Sequence, residues 1–206
     1  FTYVDEVDVT ELSAMRDRVN KTLEKEGRKL TFLPFITKAL LAALKKFPHL
    51  NALMDEEKQE LVVRGARNIG IGVATDAGLT VAVIHDADRR SIKGLGQELE
   101  RLGKAARENK LTQAELTGGT FTITSLGKDG GMFATPVINH PEVAILGIHR
   151  IEPRPVVVDR QIVIRERMYM SCSFDHRVID GHVGAAFVGE IKRLLEEPAL
   201  LLVEST

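Results

Sequence analysis

Hydrophobic positions along the chain switch between two periods. Residues 1–9 alternate apolar and acidic side chains, the pattern of a half-exposed strand. From Thr10 the apolar residues recur at helical spacing as far as Lys25, and Gly27 supplies a left-handed stop. Thr31 opens a second helical run through Leu33, Ile36, Leu40, Leu41 and Leu44, apolar on most faces and therefore buried. Pro34 falls in its first turn, where a missing N–H costs little, and Pro48 ends it. Short strands are predicted at 50–54, 60–64, 68–75 and 79–85, with Asp76-Ala77-Gly78 as a turn. Ser91 to Asn109 reads as an amphipathic helix carrying Ile92, Leu95, Leu99 and Leu102 on one side. Strands return at 119–126, 143–149, 154–158, 161–166 and 168–175, and a last helix covers 181–195. Helices and strands interleave without a strict βαβ rhythm, which predicts an α/β layered fold with a mixed sheet. No linker, repeat or low-complexity stretch divides the chain, so residues 1–206 read as one domain.

Composition narrows the function classes. The chain has 206 residues, with 28 Lys plus Arg against 29 Asp plus Glu, a net charge of −1. Near neutrality removes the usual electrostatic case for nucleic acid or an anionic membrane. No run reaches the roughly 18 apolar residues of a membrane span. Aromatics are 5% with no Trp, which also disfavours base stacking. Cys172 is the single cysteine, so an internal disulfide and a thiolate metal cluster are excluded. The apolar tail Ala199 to Val203 either packs on its own domain or docks on a neighbour. The chain starts at Phe1, which suggests a piece cut from a longer polypeptide.

Two segments carry candidate chemistry. The six histidines show no metal-ligand spacing, and no metal site is expected. His176 stands apart, in Ser171-Cys172-Ser173-Phe174-Asp175-His176-Arg177-Val178-Ile179-Asp180-Gly181. A strand ends there and a glycine opens the next helix, a place where α/β folds put reactive groups. A histidine so placed takes protons near neutral pH, and Asp180 could anchor its loop. A charged turn capping a helix is the plainer alternative. The second segment, Gly118-Gly119-Thr120-Phe121-Thr122-Ile123-Thr124-Ser125-Leu126-Gly127, alternates like a strand and ends in hydroxyls. It is either a Thr-rich strand or a hydroxyl presented to a reacting centre; it is not a phosphate-binding loop.

His176-Arg177-Val178-Ile179-Asp180-Gly181 resembles the HRxxDG signature of the catalytic domain of dihydrolipoamide acyltransferases, the cores of 2-oxoacid dehydrogenase complexes. The resemblance runs in order through residues 3–12, 31–35, 47–51, 68–72, 119–124 and 141–147, and so covers the chain. It implies the chloramphenicol acetyltransferase-like fold, a mixed sheet flanked by helices. It implies a homotrimer with the site at the subunit interface, assembled into shells of 24 or 60 subunits, with the apolar tail at contacts between trimers. The substrates it implies are coenzyme A and a dihydrolipoyl group carried on a lipoyl domain outside this chain; further domains would bind the dehydrogenase subunits. In that reading His176 is the general base that takes the thiol proton, and Thr124 donates to the oxyanion. Asp180 pairs with Arg16 to hold the loop. Cys172 packs beneath the site. Ala82 stands where the family often has proline, which affects coenzyme A contacts there. Ala134, ten residues past Thr124 and following Phe133, would line the acyl pocket. A small side chain at Ala134 leans the preference to branched-chain acyl groups, with acetyl and succinyl as alternatives. A non-lipoyl acetyltransferase of the same fold and an inactive core protein are the rival classes. The expected compartment is a bacterial or archaeal cytoplasm rather than a mitochondrial matrix.

Overall fold

A computed structural model describes residues 1–127 and 130–204. Strand β1 (Thr2–Asp8) leads into helix α1 (Thr10–Leu23). A single 3-10 turn follows, and Gly27 at φ 67° is the left-handed stop that the pattern predicts. Helix α2 (Leu33–Lys46) carries Pro34 in its first turn and is buried continuously from Pro34 to Leu44. Strands β2 (Ala52–Asp55) and β3 (Glu60–Val63) form a separate hairpin. Strands β4 (Ile69–Thr75) and β5 (Gly78–Ile84) pair antiparallel around the predicted turn. Ser91 caps helix α3 (Ile92–Arg107), its hydroxyl accepting from the Gly94 N–H at 3.0 Å. Strands β6 (Phe121–Ser125), β7 (Ala144–Val158) and β8 (Gln161–Phe174) follow, then helices α4 (Gly181–Glu196) and α5 (Leu200–Glu204).

Six strands make one mixed sheet in the order β1-β8-β7-β6-β4-β5. Strand β6 runs parallel to both neighbours, and every other pairing in the sheet is antiparallel. Two features differ from the sequence reading. The four strands expected between 143 and 175 are two long ones, β7 and β8, which stay paired past a bulge between Ile148 and Ile151. Strand β7 contains Pro153 and Pro155. They lie beyond the last pairing of β6 with β7, where one edge of β7 has no neighbouring strand and a missing N–H disturbs no ladder. The tail forms the short helix α5: Leu201 is buried in the chain's own core, while Leu202 and Val203 are exposed.

Side-chain alternation gives the sheet two unlike faces. Ile69, Ile71, Ala82, Phe121, Ile123, Ala144, Leu146, Cys172 and Phe174 point into a hydrophobic cluster shared with α1, α2, α3 and α4. The opposite face carries Gly70, Gly72, Thr122, Thr124, Gly147, Ser171 and Ser173 in register across four strands. Glycine and hydroxyl side chains alternate there because they need each other's space. A Cβ on Gly70 would sit 2.8 Å from Thr122 Oγ1, and one on Gly72 would sit 3.1 Å from Thr124 Oγ1. The helices thus take one face, and the polar face is left for chemistry.

Candidate active site

The turn after β8 is built by its own backbone. Asp175 N–H donates to Val143 O at 2.9 Å, and the Val178 and Ile179 N–H groups fold back onto Asp175 O. Arg177 braces the turn, its guanidinium spanning Asp175 and Glu56 at 2.6 and 2.9 Å. Those cationic bonds hold both carboxyls below the usual carboxylate range. His176 is left exposed between these anchors, its ring 4.6 Å from that of Phe1. Its ring nitrogens have no hydrogen-bond partner among the described residues. Asp180 takes the N-cap position of α4 with an extended backbone, and its carbonyl receives the Val183 and Gly184 N–H groups.

The expected pairing of Asp180 with Arg16 is not formed. Arg16 lies over the Phe32 ring at 4.0 Å and donates to Asp17 at 3.0 Å, so its charge is used where α1 meets the start of α2. The Asp180 carboxylate makes no cap bond. Ala82 sits fully buried in β5, opposite Ile71 on the helix-covered side, and so does not line the polar face. Cys172 is also on the helix side. Complete burial pushes its thiol well above the ordinary value, which leaves it unreactive.

Thr124 is half-buried on the polar face, near the end of β6. Its neighbour Ser125 is used locally, accepting from the Gly127 N–H at 3.1 Å. Beside Thr124 lies the segment from Gly130 to Pro141, laid across the polar face. Ser171 Oγ donates to Ala134 O and Ser173 Oγ to Pro136 O, each at 2.6 Å. Asn139 Nδ2 reaches Glu142 Oε1 at 3.2 Å and Thr122 Oγ1 at 3.4 Å. These ties place Ala134 and Phe133 on the same face as Thr124, with the Phe133 ring half-exposed against Tyr169 at 5.9 Å. The sequence reading found Phe133 and Ala134 but missed Ser171, Ser173, His149 and Glu142. Only strand register brings those residues together.

The same register keeps His176 and Thr124 apart. Thr124 opposes Gly147, which opposes Ser171. From Ser171 the chain runs away from Thr124 to Phe174, opposite Ala144, the first residue of β7, before it reaches His176. At ~3.3 Å per residue and ~4.8 Å per strand, that offset is on the order of 10 Å in each direction. No hydrogen bond spans it, so one copy of the chain does not unite a base at His176 with a hydroxyl at Thr124.

Family comparison agrees with the motifs. The family of 2-oxoacid dehydrogenase acyltransferases (catalytic domain) matches residues 1–203. The chain belongs to that family. It is 48% identical over 204 residues to a Pseudomonas putida lipoamide acyltransferase component of a branched-chain alpha-keto acid dehydrogenase complex, covering 99% of this chain and 48% of that protein. It is 49% identical over 203 residues to a Staphylococcus epidermidis dihydrolipoyllysine-residue acetyltransferase component of a pyruvate dehydrogenase complex, covering 98% and 47%. The chain therefore spans about half the length of these relatives. Among solved structures, an Azotobacter vinelandii dihydrolipoamide acetyltransferase superposes with a TM-score of 0.94 at 37% identity, covering 98% of this chain and 83% of that one. The cubic core of a pyruvate dehydrogenase multienzyme complex gives 0.93 at 37% identity with the same coverage. Chloramphenicol acetyltransferase, at 14% identity and a TM-score of 0.60 over 95% and 87% of the two chains, shares the fold.

Proposed function

We propose that this domain transfers an acyl group between dihydrolipoamide and coenzyme A as part of a 2-oxoacid dehydrogenase complex. One observation carries the assignment of roles. The Azotobacter vinelandii structure was determined to define the catalytic roles of a serine, a histidine and an asparagine. Their separations along that chain equal those of Thr124, His176 and Asp180 here. An asparagine at the third position also supports a role for Asp180 at the start of α4 that does not depend on an arginine partner.

The chemistry follows from the groups available. A thiol near pH 7 is mostly protonated. His176 takes that proton as sulfur attacks the thioester carbonyl, forming the new S–C bond and an oxyanion. Thr124 donates its hydroxyl hydrogen bond to that oxygen. Collapse breaks the old S–C bond, and the departing sulfur recovers the proton from His176. Both thiols meet in one ternary complex, so no acyl-enzyme is required. Because two strand spacings and a run of β8 separate His176 from Thr124, we assign the two groups of each site to different copies of the chain. The likeness to a chain that builds a cubic core supports such an assembly.

Branched-chain acyl groups are the favoured substrates because Ala134, beside Phe133, leaves room near Thr124. Acetyl is the second reading, supported by acetyltransferase relatives at 49% identity. The test is acyl exchange between free dihydrolipoamide and acetyl-, isobutyryl- or succinyl-coenzyme A. We expect turnover with isobutyryl leading. His176→Ala should lower kcat by a factor on the order of 10²–10⁴. Thr124→Ala should lower it by roughly 10²–10³. A folded His176→Ala variant working at the wild-type rate would overturn the mechanism, and a strong acetyl preference would overturn the branched-chain assignment.

A further inference from the structure

The mechanism leaves the hydrogen-bonded pair His149 and Ser171 on the polar face unused. Ser171 Oγ lies 2.8 Å from His149 Nε2 and 2.6 Å from Ala134 O, and Ser171 is fully buried. The donors are settled by elimination. A carbonyl has no proton, so the one Ser171 proton goes to Ala134 O. His149 must then carry its proton on Nε2 and donate to Ser171 Oγ. That arrangement needs only the Nε2–H, and burial lowers the ring's pKa, which favours the neutral form. Because the Ser171 proton points away from the imidazole, this is not a nucleophile with its base. It is a directed chain that runs from His149 through Ser171 to the Ala134 carbonyl.

The chain lies beside the reacting centre. Gly147, opposite Thr124 in register, makes room for it: a Cβ there would meet Ser171 Oγ at 2.7 Å and His149 Nε2 at 3.3 Å. The Ala134 carbonyl is thus held two strands from the Thr124 hydroxyl, on the same face. Ser173 holds Pro136 O at 2.6 Å, so the segment carrying Phe133 and Ala134 is tied at two carbonyls. Each of these hydroxyls meets a second side chain: Ser173 Oγ lies 2.8 Å from Thr2 Oγ1, and at the tie nearer Phe133 the partner is the His149 imidazole. Without His149, the Ser171 hydroxyl keeps its proton but loses the donor that fixes its rotation.

We propose that His149 is a positioning residue for acyl selectivity: through Ser171 it fixes the Ala134 carbonyl, and with it the depth of the space beside Thr124 that receives the acyl chain. The proposal rests on the acyltransferase reading above. Its test compares kcat/KM for isobutyryl- and acetyl-coenzyme A with dihydrolipoamide in the wild type, His149→Leu and His149→Gln. The ratio of the two constants is independent of the active fraction, so partial misfolding does not mimic the effect. His149→Leu should move the ratio several-fold towards unity, mainly through KM. His149→Gln, which keeps an N–H at similar reach, should restore the ratio. Ser171→Ala should shift it as His149→Leu does, and the double variant should shift it no further. Should His149→Leu fail to fold, His149→Asn, too short to reach Ser171, takes its place. An unchanged ratio in His149→Leu, or no restoration by Gln, overturns the proposal alone. A wild type inert with both thioesters overturns it together with the transferase reading.

Discussion

Glu142 shows how much a single buried side chain controls. It is 4% exposed; one carboxyl oxygen accepts from Asn139, and the other is buried with no partner. Desolvation pushes its pKa up to about 7, against the hydrogen bonds from Thr122 and Asn139. A carboxyl raised in the folded state binds more protons there than in the unfolded chain, so stability falls as pH rises through the interval from about 4.3 to about 7 and stays low above it. The loss is on the order of 3–4 kcal/mol at full ionisation, because each pH unit across that interval removes about 1.4 kcal/mol. Glu142→Gln keeps the shape without the charge. It should unfold at a higher temperature than wild type at pH 8 and at nearly the same temperature at pH 5. Parallel thermal melts at the two pH values check this, and equal behaviour at both would remove the buried ionisation from the account. Glu142 also marks where legibility ended. His176 was readable because its motif is contiguous. Glu142 lies just before β7, His149 on β7 and Ser171 on β8, and a polar residue in or beside a strand pattern reads as solvent-facing until its register is known.

At the scale of elements, the helices were legible because their signals are local: Gly27 as a stop, Pro34 in a first turn, and apolar residues at helical spacing after Ser91. The long pair β7–β8 was not, because proline reads as a breaker unless the edge it occupies is known. The hairpin tip carries its own testable geometry. Val158 pairs with Gln161 across a two-residue turn in which Asp159 and Arg160 have φ of 49° and 65°. Left-handed backbone at both positions is the turn that matches strand twist and favours Asn-Gly or Asp-Gly. Arg160 has a Cβ in that conformation, at a cost of roughly 1–2 kcal/mol relative to glycine. Arg160→Gly should therefore raise Tm by a few degrees, at about 2–4 °C per kcal/mol for a domain of this size. A melt showing no rise would mean that the turn is not held left-handed. Beyond the bulge, Val157, Ile162 and Ile164 are 72%, 80% and 76% exposed, so the arm presents apolar side chains that the chain does not cover itself.

For the whole molecule, the proposed reaction requires the polar face to be finished by a second copy. The sheet holds Thr124 on β6 and His176 beyond the end of β8, and no local rearrangement closes two strand spacings plus a run of β8. Two inactive variants should then repair each other. Chains carrying Thr124→Ala still have His176, and chains carrying His176→Ala still have Thr124. In a cyclic oligomer each site takes its histidine from one copy and its hydroxyl from the next. When the two variants are co-expressed in equal amounts and assort at random, a given site draws an intact histidine with probability one half and an intact hydroxyl with probability one half. About a quarter of the sites should be whole, and the specific activity should recover to about a quarter of wild type, far above either variant alone. The measurement is acyl transfer by the purified mixed oligomer, with each variant assembled separately as the baseline. A site contained within one chain would show no recovery, because every chain in the mixture lacks one of its two groups. Absence of recovery in oligomers shown to contain both variants would therefore return both roles to a single copy, and with it require a different hydroxyl or a different base on this polar face.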